Sequence, residues 1–368
     1  MTDFTQKPLT FFYVFCKVPI MRLSLFILCI FVAPQICVAQ TPIPPKQSVE
    51  ENVLRRVNAV KDEKFWSLSA ENDLFGGGTD QYYTSGVKLT YYDVNIDVPP
   101  VIDDMAELVP TFDLNQTTST YFTLGQNIYT PDDIEIATAQ PNDRPWAGFL
   151  YGSVGLTTVE ENHIDDFEVT LGVVGPAAFG EETQKFIHKR ISGSPEPEGW
   201  RNQLKNEPGL ILSFGRRWPV WADADVGPVR FRVEPQINAS LGNVYTYAGT
   251  GATVTMGAKN SRLQDTPPRV RPAIPGTGFF DTPDDEFSWF VFAGLDGRAI
   301  ARNIFLDGNT FRDSADVNKR YFVADGNVGF AIAYDDYRIG YTLNYRTEEF
   351  EDQDSGAVFG SVTLSTRF

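Results

Sequence analysis

Cysteine is scarce, and its placement matters more than its number: Cys16, Cys29 and Cys37 all fall in the first 37 residues. Everything after them lacks thiols, which excludes disulfides and thiolate chemistry and leaves packing and hydrogen bonds to stabilise the fold. Histidine is nearly as rare, with only His163 and His188, so a histidine-rich metal site is excluded. Past residue 40 no apolar run approaches the roughly 20 residues of a membrane helix. A membrane crossing would therefore need a closed barrel. Cations are outnumbered, 31 Lys and Arg against 48 Asp and Glu, and the net charge of −17 argues against nucleic acid as a partner. An acidic surface suits divalent cations or plain solvation, and charge alone does not choose. Internal repeats and low-complexity tracts are also absent.

What is present begins with a leader. Arg22 precedes an apolar run from Leu23 to Ala33, and Cys37-Val38-Ala39 places small residues ahead of Gln40. This pattern predicts a secretory signal peptide over residues 1–39, with Met21 as an alternative start. Cys37 lacks the small residue immediately before it that lipid attachment requires. Residues 40–62, with Pro42, Pro44 and Pro45, read as a flexible arm. Residues 63–368 read as one domain, because closed β architectures reach that size as a single unit.

That domain alternates with period two. Lys64 to Asn72 sets Phe65, Ser67 and Ser69 against Trp66, Leu68 and Ala70, which puts one set inward and the other outward. The same habit marks 81–94, 119–130, 146–159, 163–175, 208–218, 229–242, 245–258, 286–303, 317–335, 337–350 and 356–368. The expected fold is all-β: a twelve-stranded antiparallel transmembrane β-barrel, the even count a single-chain bacterial barrel requires, with one short helix in an external loop. Aromatics at strand ends, among them Tyr121, Tyr129, Trp146, Tyr151, Tyr334 and Tyr337, predict two interfacial belts; a large soluble β-sandwich with an aromatic core is the alternative. The last strand alternates up to Phe368 and is similar to the signal read by outer-membrane assembly machinery. Long connections fall at 95–118, which holds a possible short helix at 102–109, and at 131–145, 176–207 and 259–285. The last of these, rich in proline, is expected to be an irregular external loop.

Three stretches could carry chemistry. On a helix begun near Gly175, the residues Glu181, Gln184, Lys185 and His188 share one arc, with Ile187 and Ile191 on an adjoining apolar stripe. A lone imidazole there suits a general base, or is simply a solvated surface histidine. Glu71-Asn72-Asp73-Leu74-Phe75 ends the first strand, and Tyr83-Thr84-Ser85-Gly86 opens the next, so the two motifs become neighbours when the strands pair. Asn-Asp at a strand end is also a common turn device. Arg144 stands at the mouth of a strand in Asp143-Arg144-Pro145-Trp146, where a loop salt bridge is the plain reading. His163 has no such company and reads as structural.

The motifs ENDLF, TDQYYTSG, GQNIYTP, DRPWAGFLY, GVVGPAAFGEETQKFIH and GWRNQLKNEP occur in this order. Together they resemble the lipid A 3′-O-deacylase family (LpxR), over roughly residues 64–368. The resemblance implies a twelve-stranded barrel in the outer membrane of a Gram-negative bacterium, a monomer, hydrolysing an acyl ester of lipid A in lipopolysaccharide with the help of Ca²⁺. It places the catalytic base on His188, the Asn-Asp pair on Asn72 and Asp73 with Asp73 toward the metal, and the strand-opening hydroxyl on Thr84. Gln184 and Arg144 become substrate-binding candidates, and Glu182 or Gln184 a group to orient the imidazole. Two nucleophiles stay open, a water activated by His188 and the hydroxyl of Thr84 or Ser85. One departure stands out: Asp132-Asp133 replaces a basic cluster after Tyr129-Thr130-Pro131, which leaves the holding of the lipid A phosphates unaccounted for. A phospholipase, a porin and a purely structural barrel are the competing functions.

Overall fold

In the computed structural model the described residues are 64–76, 82–93, 96, 99–106, 109, 111–115, 117–259, 265–270, 278 and 287–368; the side chains of residues 82–84 are not among them. The expected signal peptide (1–39) and arm (40–62) lie outside the described residues. Thirteen strands form one antiparallel sheet: β1 (Lys64–Asn72), β2 (Tyr82–Asp93), β3 (Ser119–Thr130), β4 (Ala147–Val159), β5 (Ile164–Val174), β6 (Glu207–Arg217), β7 (Ala222–Val226), β8 (Val229–Gly242), β9 (Tyr245–Ala258), β10 (Phe287–Asn303), β11 (Phe322–Tyr334), β12 (Tyr337–Arg346) and β13 (Ala357–Arg367). β1 pairs with β13 and β6 with β8, so the sheet closes on itself. The short β7 lies in line with β6 against the same partner, β8. The two are one barrel strand broken at Trp218-Pro219-Val220-Trp221, where Trp218 N donates to Pro235 O at 3.0 Å. Counted by the wall they build, the strands number twelve.

The alternation is that of a membrane barrel turned inside out from a soluble sheet. On β1 the inward set Phe65, Ser67, Ser69 and Glu71 is buried, and the outward Trp66 and Leu68 are exposed. Register stacks one outward rung of leucines, Leu364, Leu68, Leu89 and Leu124, then Gly152, Leu171 and Leu210. The lumen is filled instead. A Cβ on Gly155 would stand 2.0 Å from the Tyr121 ring, so the glycine is what lets that tyrosine lie across the interior and donate to Glu168 at 2.9 Å. Tyr129, Phe149 and Tyr151 are likewise buried inside. The belt expectation therefore holds for exposed Tyr334, Tyr337 and Trp221, and fails for these inward rings, because strand-end position does not fix which face a side chain takes.

Since each strand reverses direction, the connections after β2 and β9 share the barrel end that carries β1's start and β13's finish. The proline-rich 259–285 segment is therefore no loop of the opposite rim. Its described part, residues 265–270, runs inside the lumen: Ser69 Oγ donates to Pro268 O (3.1 Å), Lys88 Nζ to Arg269 O (2.9 Å), and Val270 N to Glu71 Oε1 (2.7 Å). Arg269 reaches Asp296 across the barrel at 2.8 Å. Asp325 accepts from Arg298 and Arg346 at 2.9 Å each. Buried charges need such partners to be tolerated at all.

Helices are short, and two of them sit on the outer wall. α1 (Pro100–Ala106) packs Ile102 and Ala106 on Leu156 and Phe167 near the terminus-bearing end. α2 (Gly180–Ile187) continues into a π-turn, His188–Ser192, at the opposite rim. α3 (Ile304–Asp307) follows β10 with Asn303 as its N-cap.

Candidate active site on the outer wall

The site begins with one rung of the sheet. Asn72 on β1 faces Ser85 on β2, Ser85 faces Ile128 on β3, and Ile128 faces Gly148 on β4. These positions are each four residues from the leucine rung and share its face, so all four point out of the barrel. At about 4.8 Å per strand the row spans about 14 Å. Gly148 is the seat of α2: a Cβ there would meet Ala178 Cβ and Gly180 Cα at 3.2 Å. Gln126 Nε2, from the same face of β3, donates to Ala178 O at 2.6 Å.

Over this seat Trp146 and Trp200 pack with centroids 5.1 Å apart and their planes tilted by 57°, and Ile128 and Ile134 complete the packing. Trp200 Nε1 donates to Gln184 Oε1 at 2.8 Å. Because an indole N–H can only donate, this bond fixes the amide's orientation. The Gln184 Nε2 is then a buried donor with no acceptor among the described residues. One helical turn later His188 is 5% exposed, and its Nδ1 lies 2.6 Å from Pro195 O. A carbonyl only accepts, so Nδ1 carries the proton and Nε2 is the basic nitrogen of the neutral ring. The π-turn that begins at His188 closes with Gly193 N donating to His188 O at 2.9 Å. Such π insertions recur at functional sites.

The other sequence candidates fall as follows. Asn72 is the N-cap of a short turn over Asp73–Phe75, its Oδ1 accepting from Leu74 N at 2.8 Å, so it serves the turn as well as the rung. Asp73 is 1% exposed, and its Oδ1 also accepts from Leu74 N, at 2.9 Å. Thr84 lies at a bulge in β2, between Tyr83, which faces Tyr129, and Ser85, which faces Ile128; bulges re-aim side chains and gather beside active sites. Arg144 is not with this group. Its guanidinium donates to Glu349 at 2.8 Å and lies 5.5 Å over the inward Tyr129 ring, which places it at the mouth of the lumen. Trp200 and Pro195, which fix Gln184 and His188, escaped the sequence reading; Trp200 stands in the GWRNQLKNEP motif, and Pro195 left no signal. Lys185 pairs with Glu181 at 2.8 Å.

The helix also corrects its expected polarity. Gln184 and His188 face the wall, whereas Phe186 and Ile191 are exposed, the reverse of an ordinary surface helix. Around Asp132 the departure from the basic pattern becomes a cleft of about 260 Å³ lined by Asp132, Asp133, Asp143, Asp352 and Asp354. Burial, then the charges of Asp143, Asp354 and Asp133, push the Asp132 carboxyl up. Among the described residues no group of three or more His, Cys, Asp or Glu could hold a metal ion.

A closed twelve-stranded wall, apolar outside, with a filled lumen and a polar helix face pressed on its outer surface, defines an outer-membrane β-barrel of a Gram-negative bacterium. A family model described as outer membrane protein LpxR matches residues 25–368, and the chain belongs to that family. In structure it is similar to LpxR from Salmonella typhimurium, at 22% identity, with a TM-score of 0.64, over 83% of this chain and 100% of that one. The beta domain of the Bordetella autotransporter BrkA aligns at 7% identity and a TM-score of 0.39, over 83% of this chain and 98% of that one. No curated protein matches significantly in sequence.

Proposed function

We propose that this barrel is a lipid A deacylase, which removes an ester-linked acyl chain, at the 3′ position by family resemblance, from lipid A in the outer leaflet. The observation that carries the reading is the pair on α2: an imidazole whose tautomer is set by Pro195, and one turn before it a buried amide donor left unused. His188 Nε2 takes a proton from water, which attacks the ester carbonyl. Gln184 Nε2 donates to the oxyanion that forms, and the resemblance adds Asn72 and Thr84 as further donors, each worth about 3 kcal/mol in such a role. Protonated His188 then returns the proton to the departing alkoxide.

The ligand atoms this turn offers are oxygens, the buried Asp73 carboxylate and the Asn72 side-chain amide oxygen. That set suits a hard cation in kind, and Asp73 with Asn72 would hold Ca²⁺. When bound, the ion would supply charge to polarise the ester carbonyl. An open pore is disfavoured by the segment 265–270 lying in the lumen. A second reading draws on Ser85, buried on the rung directly opposite Asn72: an acyl-enzyme on Ser85 or Thr84, which rapid-quench mass spectrometry of the protein would detect.

The deciding experiment is mass spectrometry of lipid A after incubation with refolded protein, with and without Ca²⁺, beside His188→Ala. Loss of one acyl mass that needs both Ca²⁺ and His188 is expected. Unchanged lipid A with a folded barrel would contradict the reading, and phospholipid hydrolysis in its place would move the substrate class.

A further inference from the structure

We infer that residues 179–192 form a recognition element at the membrane surface, in which Lys189 and Arg190 bind a phosphate of the lipid headgroup while Phe186 and Ile191 lie among acyl chains. Four observations converge on it. Phe179, Phe186 and Ile191 are exposed at 56%, 60% and 73%, on a helix whose polar residues Gln184 and His188 face the barrel. Lys189 and Arg190 are exposed, and neither pairs with a carboxylate among the described residues; the neighbouring Lys185 and Arg201 are already engaged, with Glu181 and with Ala137 O. Residues three and four apart on a helix are neighbours, so both cations flank Phe186. In a chain of net charge −17, two uncompensated cations immediately after His188 stand out.

Height places this face at the right level. Gly148, the seat of α2, is four residues along its strand from Gly152 in the leucine rung. That is about 13 Å along the strand, or about 10 Å of height at a barrel tilt of about 40°, from the exposed leucine rung toward the rim opposite the termini. Apolar rings below and long cations reaching to the phosphate level is how interfacial helices bind anionic lipid. Phe179 adds backbone evidence: it holds φ 57°, left-handed for a bulky side chain, with its ring exposed. The inference rests on the deacylase reading for its substrate, and it fills the gap left where Asp132-Asp133 replaces a basic cluster. The phosphate it assigns is membrane-borne.

The test compares wild type with the double variant Lys189→Gln/Arg190→Gln on lipid A bearing its phosphates and on dephosphorylated lipid A, in mixed micelles. KM on the phosphorylated substrate should rise about tenfold, as loss of charge-assisted contacts implies, with kcat unchanged and no effect on the dephosphorylated substrate. Equal KM values on the phosphorylated substrate, or the same rise on both, would overturn it. Binding of phosphorylated lipid A measured in the His188→Ala background keeps the two claims apart. If wild type hydrolyses nothing, weaker binding by the double variant still supports the element, and unchanged binding overturns it. Displacement of bound lipid by millimolar inorganic phosphate would overturn the membrane-borne assignment.

Discussion

The lumen and the outer wall of this barrel hold opposite kinds of polarity. Inside, the charges are many and paired: Asp325 alone accepts from Arg298 and Arg346, with Arg269 at 3.4 Å, and Glu349 takes Arg144 and Arg346. Outside, the polar groups are few, and the decisive one is unspent, the Gln184 Nε2 beside His188. A network of paired charges holds a shape. A buried donor without an acceptor holds a place for a ligand, since leaving it unmade costs about 1–3 kcal/mol. The richer cluster of titratable residues is thus the scaffold, and the sparse one is where chemistry is expected.

Substitutions that separate catalysis from stability sharpen the contrast. His188→Gln should lower kcat by about 10³-fold or more while the barrel keeps its unfolding midpoint, since a general base is worth about 10²–10⁴ and the Pro195 contact is lost as well. Steady-state rates beside a urea titration in lipid vesicles check both halves. Asp325→Ala should do the reverse. With Arg298, Arg346 and Arg269 losing the carboxylate they share and left to Asp296 and Glu349 alone, stability should fall by about 3 kcal/mol, and activity per folded molecule should stay within about twofold of wild type. A loss of activity at full stability would break the contrast. Gln184→Met keeps the volume and removes the donor together with the acceptor of Trp200 Nε1; kcat should fall about 10²-fold with KM little changed, and stability should fall by about 1–3 kcal/mol for the orphaned indole N–H.

The smallest effect concerns the acidic cleft. Asp132 binds its proton more tightly in the folded protein than in the unfolded chain, so it favours the fold at low pH and opposes it once pH rises past its raised pKa. Asp132→Asn should therefore stabilise slightly at pH 8, by about 0.5 kcal/mol or less given its exposure. The gain should shrink as pH falls and the wild-type carboxyl becomes neutral. Unfolding midpoints at pH 8 and pH 5 check the sign.

Most of the wall was legible in sequence because the period-two pattern is local. Lys64–Asn72, 119–130, 229–242 and 245–258 coincide with observed strands; most other boundaries moved by one residue, but the expected 317–335 begins only at Phe322 and the expected 337–350 ends already at Arg346. Trp218-Pro219-Val220-Trp221 hid the added piece β7, since a proline there reads as a turn and not as a break in a longer strand. The plug was missed for another reason. Proline-rich composition marks irregular backbone but not whether it runs outward or into a lumen, although the alternation of strand direction already assigned 259–285 to the terminus-bearing end. Within the site, His188 and Gln184 were legible as one helical arc. The face they turn to was not, because an arc's polarity points to the core only when the surroundings are water. Arg144 illustrates the same limit: a cation at a strand mouth is legible, and its burial against Glu349 and Tyr129 depends on loops far apart in sequence.

The most direct test is a structure of the His188→Ala variant bound to intact lipid A. The account predicts the sugar and its ester on the outer wall, with the ester carbonyl within hydrogen-bond distance of Gln184 Nε2 and the lumen still filled by residues 265–270. Lipid A bound at the lumen mouth on Arg144, or away from the Asn72–Gly148 rung, would contradict it.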